Sequence, residues 1–80
     1  MKLPRSVSGD KLAKRLEKFG YTITRHSGNH MRLTKSTKEG DHHITIPKHR
    51  CLKLGTLNSI IKDVAESIGI SRDELVRKLR

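Results

Sequence analysis

Two side chains with complementary chemistry stand two residues apart near the middle of the chain. His30 and Arg32 follow a glycine turn, on a predicted strand with Met31 and Leu33. Because side chains alternate across a strand, an inward Met31 and Leu33 place His30 and Arg32 outward together. Imidazole titrates near neutral pH and guanidinium binds phosphate oxygens. The pair can therefore hold a phosphate and move a proton beside it.

The competing interpretation is that His30 is an ordinary surface residue, since the chain contains five histidines. His43 has the same outward parity on a neighbouring predicted strand, so it is a candidate acid or a second phosphate contact. His49 lies in a basic connector and is a further phosphate-binding candidate. His26 and His42 are expected to be surface residues with no chemical role.

The charge balance favours a polyanionic partner. The 80 residues include 18 Lys or Arg against 8 Asp or Glu, a formal net charge of +10. Residues 1–54 hold 13 of the basic and 4 of the acidic side chains. Phe19 and Tyr21 are the only aromatic residues, so base stacking cannot dominate recognition. We expect nucleic-acid binding through phosphate contacts, with weak sequence preference and strong dependence on salt.

Length and residue usage narrow the class further. Eighty residues predict one domain, spanning 1–80, with a small core and a surface site. Cys51 is the only cysteine, which excludes an intramolecular disulfide and favours the cytoplasm. No apolar run predicts a membrane span or a signal peptide. The adjacent His42 and His43 point to opposite faces of a strand, so we expect no metal site and no cofactor.

Periodicity predicts an α-β-β-β-α order followed by a short extra helix. Helices on one face of a three-stranded antiparallel sheet give an α+β fold whose other sheet face is open. The predicted elements are a helix over 8–19 capped by Ser8, strands over 21–26, 30–34 and 42–46, a polar loop over 35–41, a basic connector over 48–54, a helix from Gly55-Thr56 to Ile68, and a last helix from the capping box Ser71–Glu74 to Leu79.

Further residues are candidates for contact with phosphate. The sequence does not decide which side chains of the first strand face outward, because Tyr21, Ile23 and Arg25 would all lie on one face. Either Thr22 and Thr24 face outward, or the residues that alternate with them do. Thr56 is the expected N-cap of the second helix, whose N-terminus is a second anion-binding candidate. The basic residues just before it in sequence, Lys48 among them, would strengthen that site.

Several segments, taken in order, resemble the HicA toxin family. These are Lys2-Leu3-Pro4-Arg5, Leu16-Glu17-Lys18-Phe19-Gly20-Tyr21, Gly28-Asn29-His30, Ile46-Pro47-Lys48-His49, Leu54-Gly55-Thr56-Leu57-Asn58-Ser59-Ile60-Ile61 and Gly69-Ile70-Ser71-Arg72-Asp73-Glu74-Leu75. The resemblance implies a double-stranded-RNA-binding-domain-like fold. It also implies an mRNA-cleaving endoribonuclease, the toxin of a type II toxin–antitoxin pair, neutralised by a HicB-type antitoxin in a hetero-oligomer.

The resemblance places the family's catalytic histidine, part of a Gly-Ser-His motif, on His30. Gly28 matches the glycine, whereas Asn29 replaces the serine. RNA supplies its own nucleophile, the 2′-hydroxyl, so a base and a phosphate-binding cation suffice for cleavage without a metal. The residues expected to bind RNA or phosphate are Gly28, Asn29, Arg32, His43, Lys48, His49 and Thr56.

Two alternatives remain at this stage. The chain is basic enough to be a non-catalytic RNA-binding module of the same fold. It is equally compatible with a protein-interaction module whose basic face docks an acidic partner. The second alternative and the toxin hypothesis can both hold, because an inhibitor can cover the same face that binds RNA.

Overall fold

A computed structural model describes residues 7–79 and confirms the α+β order predicted from the sequence. The segment Lys2-Leu3-Pro4-Arg5, which contributes to the family resemblance, lies outside the described residues. The elements are α1 (Gly9–Leu16) with a 3₁₀ turn (Glu17–Phe19), β1 (Thr22–Ser27), β2 (His30–Thr37), β3 (Gly40–Pro47), α2 (Leu54–Ile68) and α3 (Arg72–Leu79).

The first helix is fixed at both ends by residues suited to caps. The Ser8 hydroxyl accepts a hydrogen bond from the Lys11 backbone N–H at 3.1 Å, as a helix N-cap does. Leu12 and Leu16 are buried, one helical turn apart. The predicted helix over 8–19 tightens into the 3₁₀ turn before it ends at Gly20, whose φ of 95° suits glycine.

Strand alternation places the core on one face of the sheet. The three strands are antiparallel in the order β1-β2-β3, so β2 is central. Met31, Leu33, Ile44 and Ile46 are all buried on the helix side, as the sequence predicts. The intervening side chains of β2 and β3 face away from the helices and form the open face.

The predicted loop over 35–41 is wrong, because both flanking strands run through most of it. β2 continues to Thr37 and β3 begins at Gly40, so a two-residue turn connects them. Polar side chains do not prevent pairing here, since this end of the sheet is exposed and the ladder uses backbone groups. Gly40 adopts a φ of 118°, which suits a tight turn.

The second helix begins earlier than predicted, and Thr56 is not its N-cap. The capping position is Lys53, whose carbonyl accepts the Leu57 N–H at 2.9 Å and whose side chain makes no capping hydrogen bond. Thr56 is instead the third residue of α2. The extended backbone of Lys53 ends the connector, so helical geometry starts at Leu54 although a hydroxyl residue is available later.

The predicted apolar faces of both C-terminal helices are buried: α2 packs against β3, and α3 packs against α2. The Ser71 hydroxyl accepts the Glu74 N–H at 3.1 Å, so one half of the predicted capping box is formed. None of the helices described over residues 7–79 is both long enough and apolar enough to cross a membrane. The buried apolar residues of α2 and α3 are Leu57, Ile60, Ile61, Val64, Ala65, Leu75, Val76 and Leu79.

Candidate active site

The turn between β1 and β2 sets the position of His30. Gly28 has a φ of 56°, and no other residue type occupies the left-handed region among the described residues. The left-handed conformation therefore falls on Gly28 and not on Asn29. The Asn29 carbonyl accepts a hydrogen bond from the Lys48 N–H at 2.6 Å, which joins the turn to the end of β3. His30 is the next residue and begins β2.

His30 and Arg32 share the open face of the sheet, as strand alternation predicts. His30 pairs with Pro47 and Arg32 pairs with Thr45 across the β2–β3 ladder. Both side chains are exposed. They line a shallow groove of about 270 Å³ with residues from all three strands. The groove residues are Arg25, Ser27, His30, Arg32 and Thr45.

Arg25 reaches this groove because β1 contains a β-bulge. The pairing shifts between Ile23, which lies opposite Leu33, and Arg25, which lies opposite Arg32. One extra residue, Thr24, is accommodated there, so the alternation of side chains changes phase. Thr24 and Arg25 consequently both face the open side although they are adjacent in sequence. No glycine or proline marks the bulge, so parity alone could not assign Arg25.

A row of hydroxyl groups crosses the open face and ends at His43. The Thr24 and Thr34 hydroxyl oxygens are 2.8 Å apart, and the Thr34 hydroxyl is 2.8 Å from His43 Nδ1. The Thr24 hydroxyl also donates to the Arg32 carbonyl at 3.3 Å. The row orients the His43 ring. It does not bring His43 to His30, because His43 lies opposite Thr34, four residues farther along β2.

The basic connector after β3 is tied by backbone hydrogen bonds to the start of α1. The Gly9 N–H donates to the His49 carbonyl, and the Leu52 N–H donates to the Val7 carbonyl, both at 2.9 Å. Lys48 and His49 are exposed. With Lys48 also bonded to the β1–β2 turn, the connector places two cationic or titratable side chains beside the His30 end of the sheet.

A second groove begins at His30 and lies between the edge strand β3 and the helix α2. It has a volume of about 500 Å³. Thr45 and Pro47 line it from the strand, and Thr56 lines it from the helix. Thr56 thus lines the same groove as His30, although it is not a cap. The remaining lining residues are Ile44, Gly55, Ser59, Ile60 and Asp63.

Residues 9–65 match the family model described as "HicA toxin of bacterial toxin-antitoxin". The chain belongs to the HicA toxin family. The matched span contains the turn, His30, both grooves and the basic connector, whereas α3 lies beyond it. Neither the curated proteins nor the solved structures compared contain a significant match. Family membership makes the chain a toxin of the toxin–antitoxin class.

The HicA chain carries another basic surface on α1 and the 3₁₀ turn that follows it, away from the open sheet face. Its four cationic residues line a groove of about 300 Å³. Such a charged face is commonly just solvated, but it can also contact an RNA backbone, and here it is accessible along one shallow channel. These residues are Lys11, Lys14, Arg15 and Lys18.

A partly buried polar cluster around Tyr21 lies on the helix side of the HicA sheet. The Tyr21 hydroxyl is 2.8 Å from His42 Nδ1, and the two rings pack edge to face at 5.8 Å. Burial raises the pKa of Tyr21; a hydrogen bond with Ser67 lowers it, and the negative charge of Asp63 raises it further. His42 was expected to be a surface residue but is half-buried against Tyr21.

Over residues 7–79, no group of three or more His, Cys, Asp or Glu side chains is arranged to hold a metal ion. His42 and His43 point to opposite faces of β3, with His42 on Tyr21 and His43 on Thr34. Cys51 is exposed in the connector. The polar groups at the HicA site are therefore those of the two grooves beside His30.

Proposed function

We propose that this HicA-family chain is a metal-independent endoribonuclease that cleaves mRNA. One observation carries the proposal. His30 is exposed in a groove that it shares with two guanidinium side chains, Arg25 and Arg32, which lie opposite each other on β1 and β2. An imidazole beside a pair of cations on an open surface suits a phosphodiester better than an enclosed neutral substrate.

In the proposed reaction His30 acts as the general base. It removes the proton from a ribose 2′-hydroxyl, and the oxygen attacks the adjacent phosphorus. The P–O5′ bond then breaks, leaving a 2′,3′-cyclic phosphate and a 5′-hydroxyl end. The groove is open to solvent, so water can deliver the proton to the leaving oxygen. Positioned proton transfer of this kind contributes roughly 10²–10⁴-fold to a rate.

Arg25 and Arg32 supply the second requirement, which is charge stabilisation. Negative charge grows on the non-bridging phosphate oxygens as the 2′-oxygen attacks. A guanidinium donates two parallel hydrogen bonds to such oxygens and remains protonated at any working pH. Arg32 lies on the same strand and face as His30, so it is the residue we assign to the scissile phosphate. Arg25 holds the same or the neighbouring phosphate.

The remaining predicted site residues are assigned to substrate binding. Gly28 and Asn29 form the turn against which RNA lies as it enters the groove. Lys48 and His49 contact the backbone on one side of His30, and His43 contacts it on the other side of the open face. Thr56 offers a hydroxyl in the second groove. Binding through this surface should weaken steeply with added salt.

We further propose that the toxin acts in the cytoplasm and is neutralised there by a HicB-type antitoxin. An acidic partner surface is complementary to the exposed residues around His30, and it would block RNA by occupying the same face. The two roles of the basic surface, RNA binding and antitoxin binding, then compete. An antitoxin in excess should protect RNA without modifying the toxin.

The test compares wild-type protein with a His30→Ala variant on mRNA in the presence of EDTA. His26→Ala is the matched control, because His26 is exposed on the opposite face of the sheet, paired with Met31. We expect cleavage by wild type and the control, and none by His30→Ala. RNA binding without cleavage by wild type would support the non-catalytic RNA-binding alternative. Equal cleavage by His30→Ala would overturn the assignment of His30.

A further inference from the structure

The two grooves that meet at His30 have opposite electrostatic character. The groove on the open face contains Arg25 and Arg32 and no acidic residue. The groove between β3 and α2 contains no Lys or Arg, and Asp63 is the only carboxylate that lines it. A carboxylate repels a phosphate group. The second groove is therefore unsuited to the RNA backbone, although the chain as a whole is strongly basic.

The second groove combines polar groups of α2 with apolar side chains of β3 and α2. Thr56, Ser59 and Asp63 are spaced i, i+3 and i+7 along α2 and line one side of it, a span of roughly 10 Å at 1.5 Å per residue. Apolar parts of Ile44, Pro47 and Ile60 line it as well. Apolar walls with a few convergent polar groups are typical of sites that bind nucleobases and small ligands.

We propose that this groove binds the base of a nucleotide next to the scissile phosphate, and that Asp63 selects guanine there. The inference rests on the proposed ribonuclease function, because it takes His30 as the point where the RNA backbone crosses from one groove to the other. It adds a base preference at one position to a surface that otherwise binds backbone.

The choice of guanine follows from the hydrogen-bonding edge of each base. A carboxylate only accepts hydrogen bonds and can accept two in parallel. Guanine presents adjacent N1–H and N2–H donors on its Watson–Crick edge, which match that geometry. Adenine and cytosine each place an acceptor nitrogen beside their amino group, and uracil flanks its single N–H with two carbonyls. Each of these would direct a lone pair at the Asp63 oxygens.

Asp63 is available for this role. It is exposed, and it forms no ion pair with another described side chain. Its negative charge acts on the buried Tyr21 hydroxyl, but burial is the larger cause of the Tyr21 pKa shift. The nearest acidic residue along α2, Glu66, does not line the groove. Glu66 therefore supplies a control of equal charge on the same helix.

Gly55 gives an independent way to narrow the second groove. It lines the groove, and a Cβ placed there would meet no protein atom within 4 Å. A Cβ at this position therefore meets no other part of the protein, so we expect a side chain there to extend into the groove. Replacing a helical glycine also removes backbone freedom from the unfolded chain. Gly55→Leu should fold at least as well as wild type while it narrows the groove.

The experiment maps the cut ends of a random-sequence RNA by sequencing. With wild type we expect guanine on one side of the cut to be enriched about tenfold, since one bidentate contact discriminates by roughly 1–3 kcal/mol. Asp63→Asn presents one acceptor and one donor, so its preference should move from guanine towards adenine or cytosine. Glu66→Gln should keep the guanine preference, and Gly55→Leu should lose it.

A binding measurement separates this inference from the cleavage proposal. Non-cleavable 2′-O-methyl dinucleotides containing each of the four bases are titrated into wild-type protein, and backbone amide shifts are followed. The guanine dinucleotide should shift Ser59 and Asp63 at the lowest concentration, whether or not the protein cuts RNA. No shift at these residues, or equal response to all four bases, would overturn the site. Unchanged preference in Asp63→Asn would do the same.

Discussion

His30 and His43 face the same side of the sheet but stand far apart along it. His30 lies opposite Pro47, whereas His43 lies opposite Thr34. The four residues from His30 to Thr34 span roughly 13 Å at a strand rise of about 3.3 Å per residue. Two imidazoles so separated cannot serve as base and acid on one phosphodiester. The geometry favours His43 as a contact to a different phosphate of the same RNA.

This separation predicts different kinetic effects for the two histidines. His30→Ala should lower kcat at least about 100-fold, because it removes proton transfer in the transition state. His43→Ala should raise KM several-fold and leave kcat within about twofold, because it removes binding alone. Steady-state cleavage of a fluorogenic RNA measures both constants. A large loss of kcat in His43→Ala would show that the two histidines act together.

The bulge in β1 predicts a binding role for Arg25. If Arg25 contacts phosphate, Arg25→Ala should weaken binding of non-cleavable RNA. It should also reduce the slope of log Kobs against log salt by about 0.7, the value for one contact to a single strand. Fluorescence anisotropy at several salt concentrations gives the slope. Arg77→Ala is the control, because Arg77 is exposed on α3, outside both grooves. A slope identical in both variants would remove Arg25 from the site.

Two glycines predict opposite effects of the same substitution on stability. A Cβ on Gly9 would overlap the Pro47 carbonyl oxygen, whereas one on Gly55 would meet no atom within 4 Å. Gly9→Ala should lower the free energy of unfolding by about 1–3 kcal/mol, through overpacking at the α1–β3 contact. Gly55→Ala should raise it by about 0.5–1 kcal/mol, through helix propensity. Urea denaturation followed by circular dichroism measures both.

The buried Tyr21 hydroxyl predicts a loss of stability at alkaline pH. Its pKa is raised in the folded state, chiefly by burial, so above pH 10 the folded chain retains a proton that the unfolded chain has lost. The contribution is complete below the unfolded pKa of about 10 and is lost as pH rises through the folded value. Absorbance of tyrosinate reports Tyr21 alone, since it is the only tyrosine.

Tyr21→Phe is the control for that titration, because lysine side chains also lose protons in this pH range. The free energy of unfolding of wild type should fall more steeply above pH 10 than that of the variant. The difference between the two curves isolates Tyr21. Absorbance that titrates at the same pH in folded and guanidinium-unfolded protein would contradict the raised pKa.

The local sequence pattern predicts most of the helices and strands and which of their faces are buried. Hydrophobic alternation in β2 and β3 predicts the inward Met31 and Ile44, and the type and position of Ser8 predict its role as a cap. The pattern failed where backbone geometry overrides side-chain preference. The β2–β3 hairpin forms through polar residues that read as a loop. The second helix starts at Leu54 because Lys53 is already extended, not where the hydroxyl of Thr56 stands.

The candidate site was predictable only in part, for a related reason. His30 and Arg32 share one strand, so alternation alone brings them together. Arg25 depends on an unmarked bulge in β1, which changes the phase of the strand. Asp63 depends on how α2 packs against the edge of β3, and no local pattern carries that information. Contacts within one element can be predicted from spacing, whereas contacts between elements need the tertiary structure.

The backbone hydrogen bonds that hold the basic connector in place affect the entropy of RNA binding. Asn29, Gly9 and Val7 hold the connector through three backbone hydrogen bonds at Lys48, His49 and Leu52. If the connector were disordered, ordering it on a ligand would cost roughly 1–2 kcal/mol per residue in backbone conformational entropy. Here folding has already imposed that order. The conformational entropy lost on binding should then be mainly that of the nucleic acid, with little loss from the toxin.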